Sequence, residues 1–434
     1  MTRTLAAVAC AAFIISMGGR AAAQTASGGT WLRERLSSAR PGDVIDVPPG
    51  EHSGPFVITK SVRLRGHGRA VLRGNGQTHV VSVGAADVVI EGFEIRDSGL
   101  DLSKDHAAVH ITGARAVVRD NRIVESLHGV YVREADGARI ERNIITGKSR
   151  TLERVNPFAS PTPGGGEVCE VTLGQDRRGN GIHIWNSKDH VIAGNIIRDT
   201  RDGIYFSFVD RSEVRGNDIA GVRYGLHYMY SDDNRFEDNV FRDSAAGAAL
   251  MYSKGITLRR NDFVGNRNHR AHGLLMYSVD ETDIGDNRIS GNTMGLFIEH
   301  SEGNRFTNNT VSNNYIGIHI TNSSDGNTFA GNTFTGNLHP VEASGTNMRN
   351  QWAVDGRGNY WDGAVRLDLD GNGIGDVPHR ELDLYGELRR PFPAVALLAG
   401  SPGERLLRFV HARLALPGLP GFADPAPLLQ VPRR

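Results

Sequence analysis

Asparagine followed by a short apolar run recurs at a fixed interval. Asn195, Asn217, Asn239 and Asn261 are each 22 residues apart, Asn287 follows at 26 and Asn309 at 22. Fourteen residues before each stands a glycine (Gly181, Gly203, Gly225, Gly247, Gly273, Gly295) that opens an apolar run such as Gly225-Leu-His-Tyr. Asn121 and Asn143 begin the series, again 22 apart, with Gly129 fourteen residues before Asn143. A fixed period in the low twenties is the signature of a solenoid. Leucine is too sparse for a leucine-rich repeat. The runs alternate Ile, Val, Phe and Tyr with polar residues, as strands do, and turn residues between them leave no room for a helix. The fold expected is all-β: a right-handed parallel β-helix of about 22 residues per coil, with coils stacked at about 4.8 Å. The recurring asparagines read as a ladder of amides at a tight bend.

The period also divides the chain. Residues 1–23 have the form of an export signal, with Arg3 as the basic region, Leu5 to Met17 as the apolar core and Ala21-Ala22-Ala23 as the cleavage site. Residues 24–55 read as an N-terminal cap and lead-in, including a short amphipathic helix over Trp31–Ser38. Residues 56–350 form the β-helix. Within it, 147–180 is an inserted loop that carries Cys169, and a bulge of four residues falls near Arg267–His272. Residues 351–384 read as a C-terminal cap around Trp352, Tyr360 and Trp361. Residues 385–434 supply an amphipathic helix (Glu404–Leu416, with Leu406, Leu407, Val410 and Leu414 on one face) and an extended tail. Residues 406–434 are expected to be dispensable for folding; a helix that folds back as the C-terminal cap is the alternative.

Lys plus Arg and Asp plus Glu are equal at 49 each. Removing Arg3 and Arg20 with the leader brings the net charge to about −2. Such a balance gives no reason to expect nucleic acid or an anionic membrane as partner. One cysteine beyond the leader allows no internal disulfide.

Two constellations carry candidate chemistry. In each strand the residues one and three after the glycine face inward and those two and four after it face outward. The first outward column reads Tyr131, His183, Tyr205, His227, Ala249, Leu275, Phe297, His319; the second reads Arg133, Trp185, Ser207, Met229, Met251, Tyr277, Glu299, Thr321. His227, Met229 and Met251 thus share one outer face, and imidazole with thioether favours Cu(I). Packing of both methionines beneath the insertion is the alternative. His269 and His272 emerge in the bulge near the same coils and could add ligands. His183 lies two rungs from His227, suited to entry or docking. The second constellation is Asp368, Asp370, Asn372, Ile374 and Asp376, which match most of a calcium loop except that His379 replaces the closing glutamate; a plain Asx-turn loop is the other reading. No pairing of carboxylates on successive coils suggests a glycoside hydrolase, although Arg133, Glu134, Lys104, Asp105 and His106 could be assembled into a proton-transfer set.

Gly225-Leu-His-Tyr-Met-Tyr-Ser231, Ala249-Leu-Met-Tyr-Ser253, His272-Gly-Leu-Leu-Met276 and Gly358-Asn-Tyr-Trp361 with the Asp368–Asp376 loop resemble the NosD family over nearly all of the mature chain. The resemblance implies a non-enzymatic periplasmic accessory protein for nitrous oxide reductase. It implies transient Cu(I) handling and partners comprising an ABC-type permease and its ATPase, a copper chaperone and the apo-reductase. Membrane association would come only through the permease. A polysaccharide lyase or epimerase, and a carbohydrate-binding β-helix without chemistry, are the other classes that this pattern of strands admits.

Overall fold

The computed structural model describes residues 28–155, 167–268, 271–321, 323–344, 349–382, 388, 392–398, 401–413 and 421–432. The chain is the expected all-β parallel β-solenoid. Every coil repeats the same path, as in the coil with strands Ile182–Lys188, Val191–Ala193 and Ile196–Arg198. The first strand of each coil joins a 12-stranded sheet running from Phe56–Ile58 to His339–Ser344. The other two build parallel ladders that share the long strand Arg63–Arg73.

The repeat follows from the packing inside each coil. Ile182, Ile204, Leu226, Ala248, Leu274, Leu296 and Ile318 point inward and are 0–1% exposed. The asparagines are buried among them. Asn239 Oδ1 accepts from the Asn217 backbone N–H (3.1 Å) and Nδ2 (2.9 Å), while Asn239 Nδ2 donates to Asn261 Oδ1 (2.9 Å) and to the Val214 carbonyl (2.8 Å). Each amide thereby satisfies the backbone of a bend that the sheets cannot reach. A second buried column, Asn266, Asn292, Asn314 and Asn337, repeats the pattern. The glycine of each repeat has a separate cause. A Cβ on Gly181, Gly203, Gly225, Gly247, Gly273 or Gly295 would stand within 2.7 Å of the next coil's backbone carbonyl. The coils close up at that corner, and only glycine lets them.

Both ends are covered, as a solenoid with open strand edges requires. At the start, the helix Gly28–Ser38 lays the buried Leu32 and Leu36 over the first coils. The insertion carries an antiparallel hairpin, Arg150–Val155 with Glu167–Thr172. At the far end Trp352 and Trp361 continue the core's aromatic stacks, on Phe329 (4.3 Å) and Phe334 (4.2 Å).

The chain's last residues return to this end. Gly421–Asp424 pairs antiparallel with His379–Leu382, Phe422 stacks on Trp352 at 4.0 Å, and Leu428 is buried beside Tyr360 and Ile374. Asp424 takes the place of the next asparagine in the ladder. Its Oδ2 accepts from the Asn359 N–H (2.7 Å), Asn359 Nδ2 (3.2 Å) and Trp361 Nε1 (2.9 Å). Residues 421–428 are therefore part of the cap, and the expectation that everything after residue 405 is dispensable fails for them. The sequence shows the Pro- and Leu-rich composition of this segment but not that the tryptophans need a lid. The helix Pro402–Arg413 is an excursion between the two paired cap strands. Among the described residues no helix is long and apolar enough to cross a membrane.

Candidate functional site

The two outward columns form in the expected register. Tyr131, His183, Tyr205, His227 and Ala249 are successive partners in the 12-stranded sheet. Trp185, Ser207, Met229, Met251 and Tyr277 are successive partners beside them. Met229 and Met251 lie on adjacent rungs and both are half-buried. His227 is two residues before Met229 on the same strand and face. The register puts these three residues on one outer face, on adjacent rungs.

The strand bends just after the methionines. Phe208, Tyr230 and Tyr252 all take a left-handed backbone, with φ of 56°, 51° and 53°, a costly conformation for bulky residues. The bend turns their rings outward into a rail, stacked at 5.2 Å and 5.0 Å and about half exposed. The methionine pair is thus bordered by aromatic faces.

His227 has an anchor that sequence reasoning missed. The carboxylate of Asp202, 1% exposed, accepts from His227 Nδ1 (2.9 Å) and from Arg223 Nε (2.9 Å) and Nη2 (2.6 Å). Burial pushes the Asp202 pKa up, but the hydrogen bonds from His227 and Arg223 outweigh it, and the carboxyl is held below its ordinary value. The Arg223 guanidinium also lies over the Tyr224 ring, 4.6 Å from its centre. A carboxylate on Nδ1 fixes the ring and directs Nε2 away, the outer-shell arrangement that prepares imidazole for a metal. The signal available in the sequence was Asp202 directly before a repeat glycine, where neighbouring coils carry Asn180 and Tyr224. Its contact is made 25 residues away, across a coil, and only the wound chain shows it.

The other sequence candidates are placed differently. His183 shares the column but is separated from His227 by Tyr205, with ring centres 4.5 Å and 4.8 Å apart. Burial, with the nearby His128 adding to it, holds His183 neutral by pushing its pKa well below normal. His272 opens the strand His272–Asp280 in register with Ala246. That position is five residues from Tyr277, Met251's partner, or roughly 16 Å along the strand. It packs edge-on against Phe297 at 5.2 Å, and burial lowers its pKa to about 4. It does not join His227 and the methionines. His269 lies outside the described residues, as does the side chain of Cys169. Among the described residues no three His, Cys, Asp or Glu side chains converge as a metal cage, so the two thioethers are what would complete a site at His227. In the Asp368–Asp376 loop, Asp368 accepts from the Asn372 and Gly373 amides (3.1 and 2.9 Å), Asn372 Oδ1 from Ile374 (2.7 Å) and Asp376 Oδ2 from Leu369 (2.6 Å). These Asx-type bonds account for the loop's shape.

A family model described as "Periplasmic copper-binding protein (NosD)" matches residues 165–365, which include Asp202, Arg223, His227, Met229 and Met251. A protein of Pseudomonas aeruginosa, "Probable ABC transporter binding protein NosD", is 32% identical over 399 residues, 88% of this chain and 87% of its own length. The chain belongs to the NosD family. A second NosD protein, from Stutzerimonas stutzeri, is also 32% identical, covering 89% of this chain and 86% of its own. Among solved structures, the periplasmic alginate epimerase AlgG matches with a TM-score of 0.52 at 12% identity, over 75% of this chain and 88% of the other. An alginate lyase in complex with a trisaccharide matches at 0.52 and 14%, over 73% and 85%. Likeness at that level establishes a shared solenoid and nothing about chemistry.

Proposed function

We propose that this NosD-family chain is a periplasmic copper-handling accessory protein for maturation of nitrous oxide reductase, acting without catalysis beside an ABC-type ATPase and permease. The observation that carries the reading is the anchored imidazole beside the paired thioethers. His227 Nε2, Met229 and Met251 supply a neutral, soft donor set that suits Cu(I) and discriminates against Mg²⁺ and Ca²⁺. Three ligands leave one coordination position through which a copper chaperone could deliver the ion and the apo-reductase could withdraw it. The description of the matching family as copper-binding supports the cargo, and the relatives' names support the transporter.

The direct test is His227→Ala combined with Met229→Leu and Met251→Leu, which keeps most of the apolar volume. The triple variant should fold, lose Cu(I) binding in a competition titration under reducing conditions, and fail to support active reductase in the cell. Parent-like Cu(I) affinity would place the ligands elsewhere.

The transporter partner has its own candidate element. The Pro402–Arg413 helix lies beside the cap strand His379–Leu382, with Leu406 62% and Val410 41% exposed. Apolar residues at this spacing are the anchors of helix-in-groove docking. Leu406→Asp with Val410→Asp should leave the thermal transition unchanged and remove co-purification with the permease. Retained co-purification would assign docking to another surface.

A further inference from the structure

The repeat lets one coil report what its neighbour lacks. In the coil of His227, Arg223 and His227 grip the carboxylate of Asp202. Twenty-two residues earlier the equivalent positions are Arg201, Tyr205 and Asn180. The guanidinium is kept, but the carboxylate has become an amide. Arg201 Nε is buried and bonds nothing among the described residues, and Asn180 Oδ1 is likewise buried without a partner.

A third orphan lies alongside. His128, 3% exposed, accepts the Asn180 backbone N–H on Nδ1 at 2.9 Å. A neutral imidazole that accepts on Nδ1 carries its proton on Nε2, and this Nε2 is buried without a partner. The nearest carboxylate oxygen, on Asp105, is 3.8 Å away, too far for a hydrogen bond. Burial holds His128 neutral, with a pKa near 4, and the Arg201 charge adds to the effect. Among the described residues, three consecutive coils thus present two unmatched donors and one unmatched acceptor, and His106 on the coil before adds an unpartnered Nδ1, whereas buried polar groups are as a rule paired. Beside them Tyr131 and Tyr205 flank His183, with ring centres 4.5 Å from it on either side.

We infer that Arg201, His128 and Asn180 form a binding site for a hydroxylated carboxylate of the sugar-acid type. Its carboxylate would take the Arg201 and His128 N–H groups, as Asp202 takes those of Arg223 and His227. Planar guanidinium matches planar carboxylate. A hydroxyl on the ligand would donate to Asn180 Oδ1. The site is separate from the copper ligands and does not depend on the copper reading.

The test uses the full mature chain, copper-free, titrated calorimetrically with glucuronate and with acetate at neutral pH. Glucuronate should bind, and acetate at least tenfold more weakly. Asn180→Asp builds into the chain the carboxylate that the site lacks. It should fold and weaken glucuronate at least tenfold, as should Arg201→Gln, while Cu(I) affinity stays at the parent value. No binding of either probe, or an Asn180→Asp variant that binds glucuronate like the parent, would overturn the inference. Acetate binding as tightly as glucuronate would remove the hydroxyl contact and with it the sugar-acid class.

Discussion

Asp202→Asn is expected to cost about 3 kcal/mol of stability and to weaken Cu(I) binding about 10- to 100-fold. The first figure is the low end for leaving one member of a buried ion pair unmatched, because an asparagine oxygen can still accept one of the bonds that Asp202 now takes. The second is the usual effect of removing the outer-shell carboxylate behind a metal-binding imidazole. The two effects have different pH signatures. The Asp202 carboxyl is held below its ordinary value, because the hydrogen bonds from His227 and Arg223 outweigh its burial. Its contribution to stability is therefore present above the unfolded carboxylate pKa of about 3.9 and is lost as pH falls through the lower, folded value. Chemical denaturation of parent and variant should show a constant gap at neutral pH that closes only below about pH 4. A variant as stable as the parent at pH 7 would mean that the pair is balanced by its own desolvation. Unchanged Cu(I) affinity would separate Asp202 from the copper site altogether.

At the other end of the solenoid, Asp424→Ala should destabilise the protein by about 3 kcal/mol or more. The substitution leaves the Asn359 N–H, the Trp361 indole and the Ala426 N–H without this acceptor, while the Asn359 amide keeps the Phe329 and Trp352 carbonyls; each buried donor left unmade costs about 1–3 kcal/mol. It also loosens the strand that holds Phe422 over Trp352 and Trp361, so tryptophan fluorescence should report the loss before the main transition. Asp424→Asn restores a ladder-type acceptor and should be close to the parent. Burial raises the Asp424 pKa, and the Trp361, Asn359 and Ala426 donors offset this only in part. With a raised folded pKa, the carboxyl stabilises fully below the unfolded value of about 3.9 and loses that contribution as pH rises through the folded one. The asparagine variant should therefore gain on the parent as pH rises from acid to neutral. A denaturation midpoint of Asp424→Ala equal to the parent's would show that the chain end is not the cap in solution.

The alternation within the strands was enough to place Met229 beside Met251 and His227 two residues away, because side-chain direction in a strand is a local property. The 22-residue period was enough for a solenoid, and the runs of Ile, Val, Phe and Tyr in place of regular leucines decided for a β-helix over a leucine-rich repeat. Even the reason for the glycine was partly visible, since it falls at one place in every coil, although the close approach of neighbouring carbonyls that demands it is a distance between coils.

What the chain could not show by itself are the contacts made across coils by residues outside the repeating positions. Asp202, Asn180 and His128 precede their glycines and have no shared identity, so no period marks them. Arg223 and His227, the partners of Asp202, are set by which coil stacks on which. His272 follows the bulge and takes the position directly before its repeat glycine, in register with Ala246, which is a different column from the methionines. Asp424 meets Asn359 over 65 residues, past a helix that leaves the stack and returns. Repeat spacing determines the coils and their outward columns because those are periodic; the pairing of a carboxylate with its arginine, histidine or ladder end is decided only when the coils are wound and closed, because each is a single contact between distant parts of the chain.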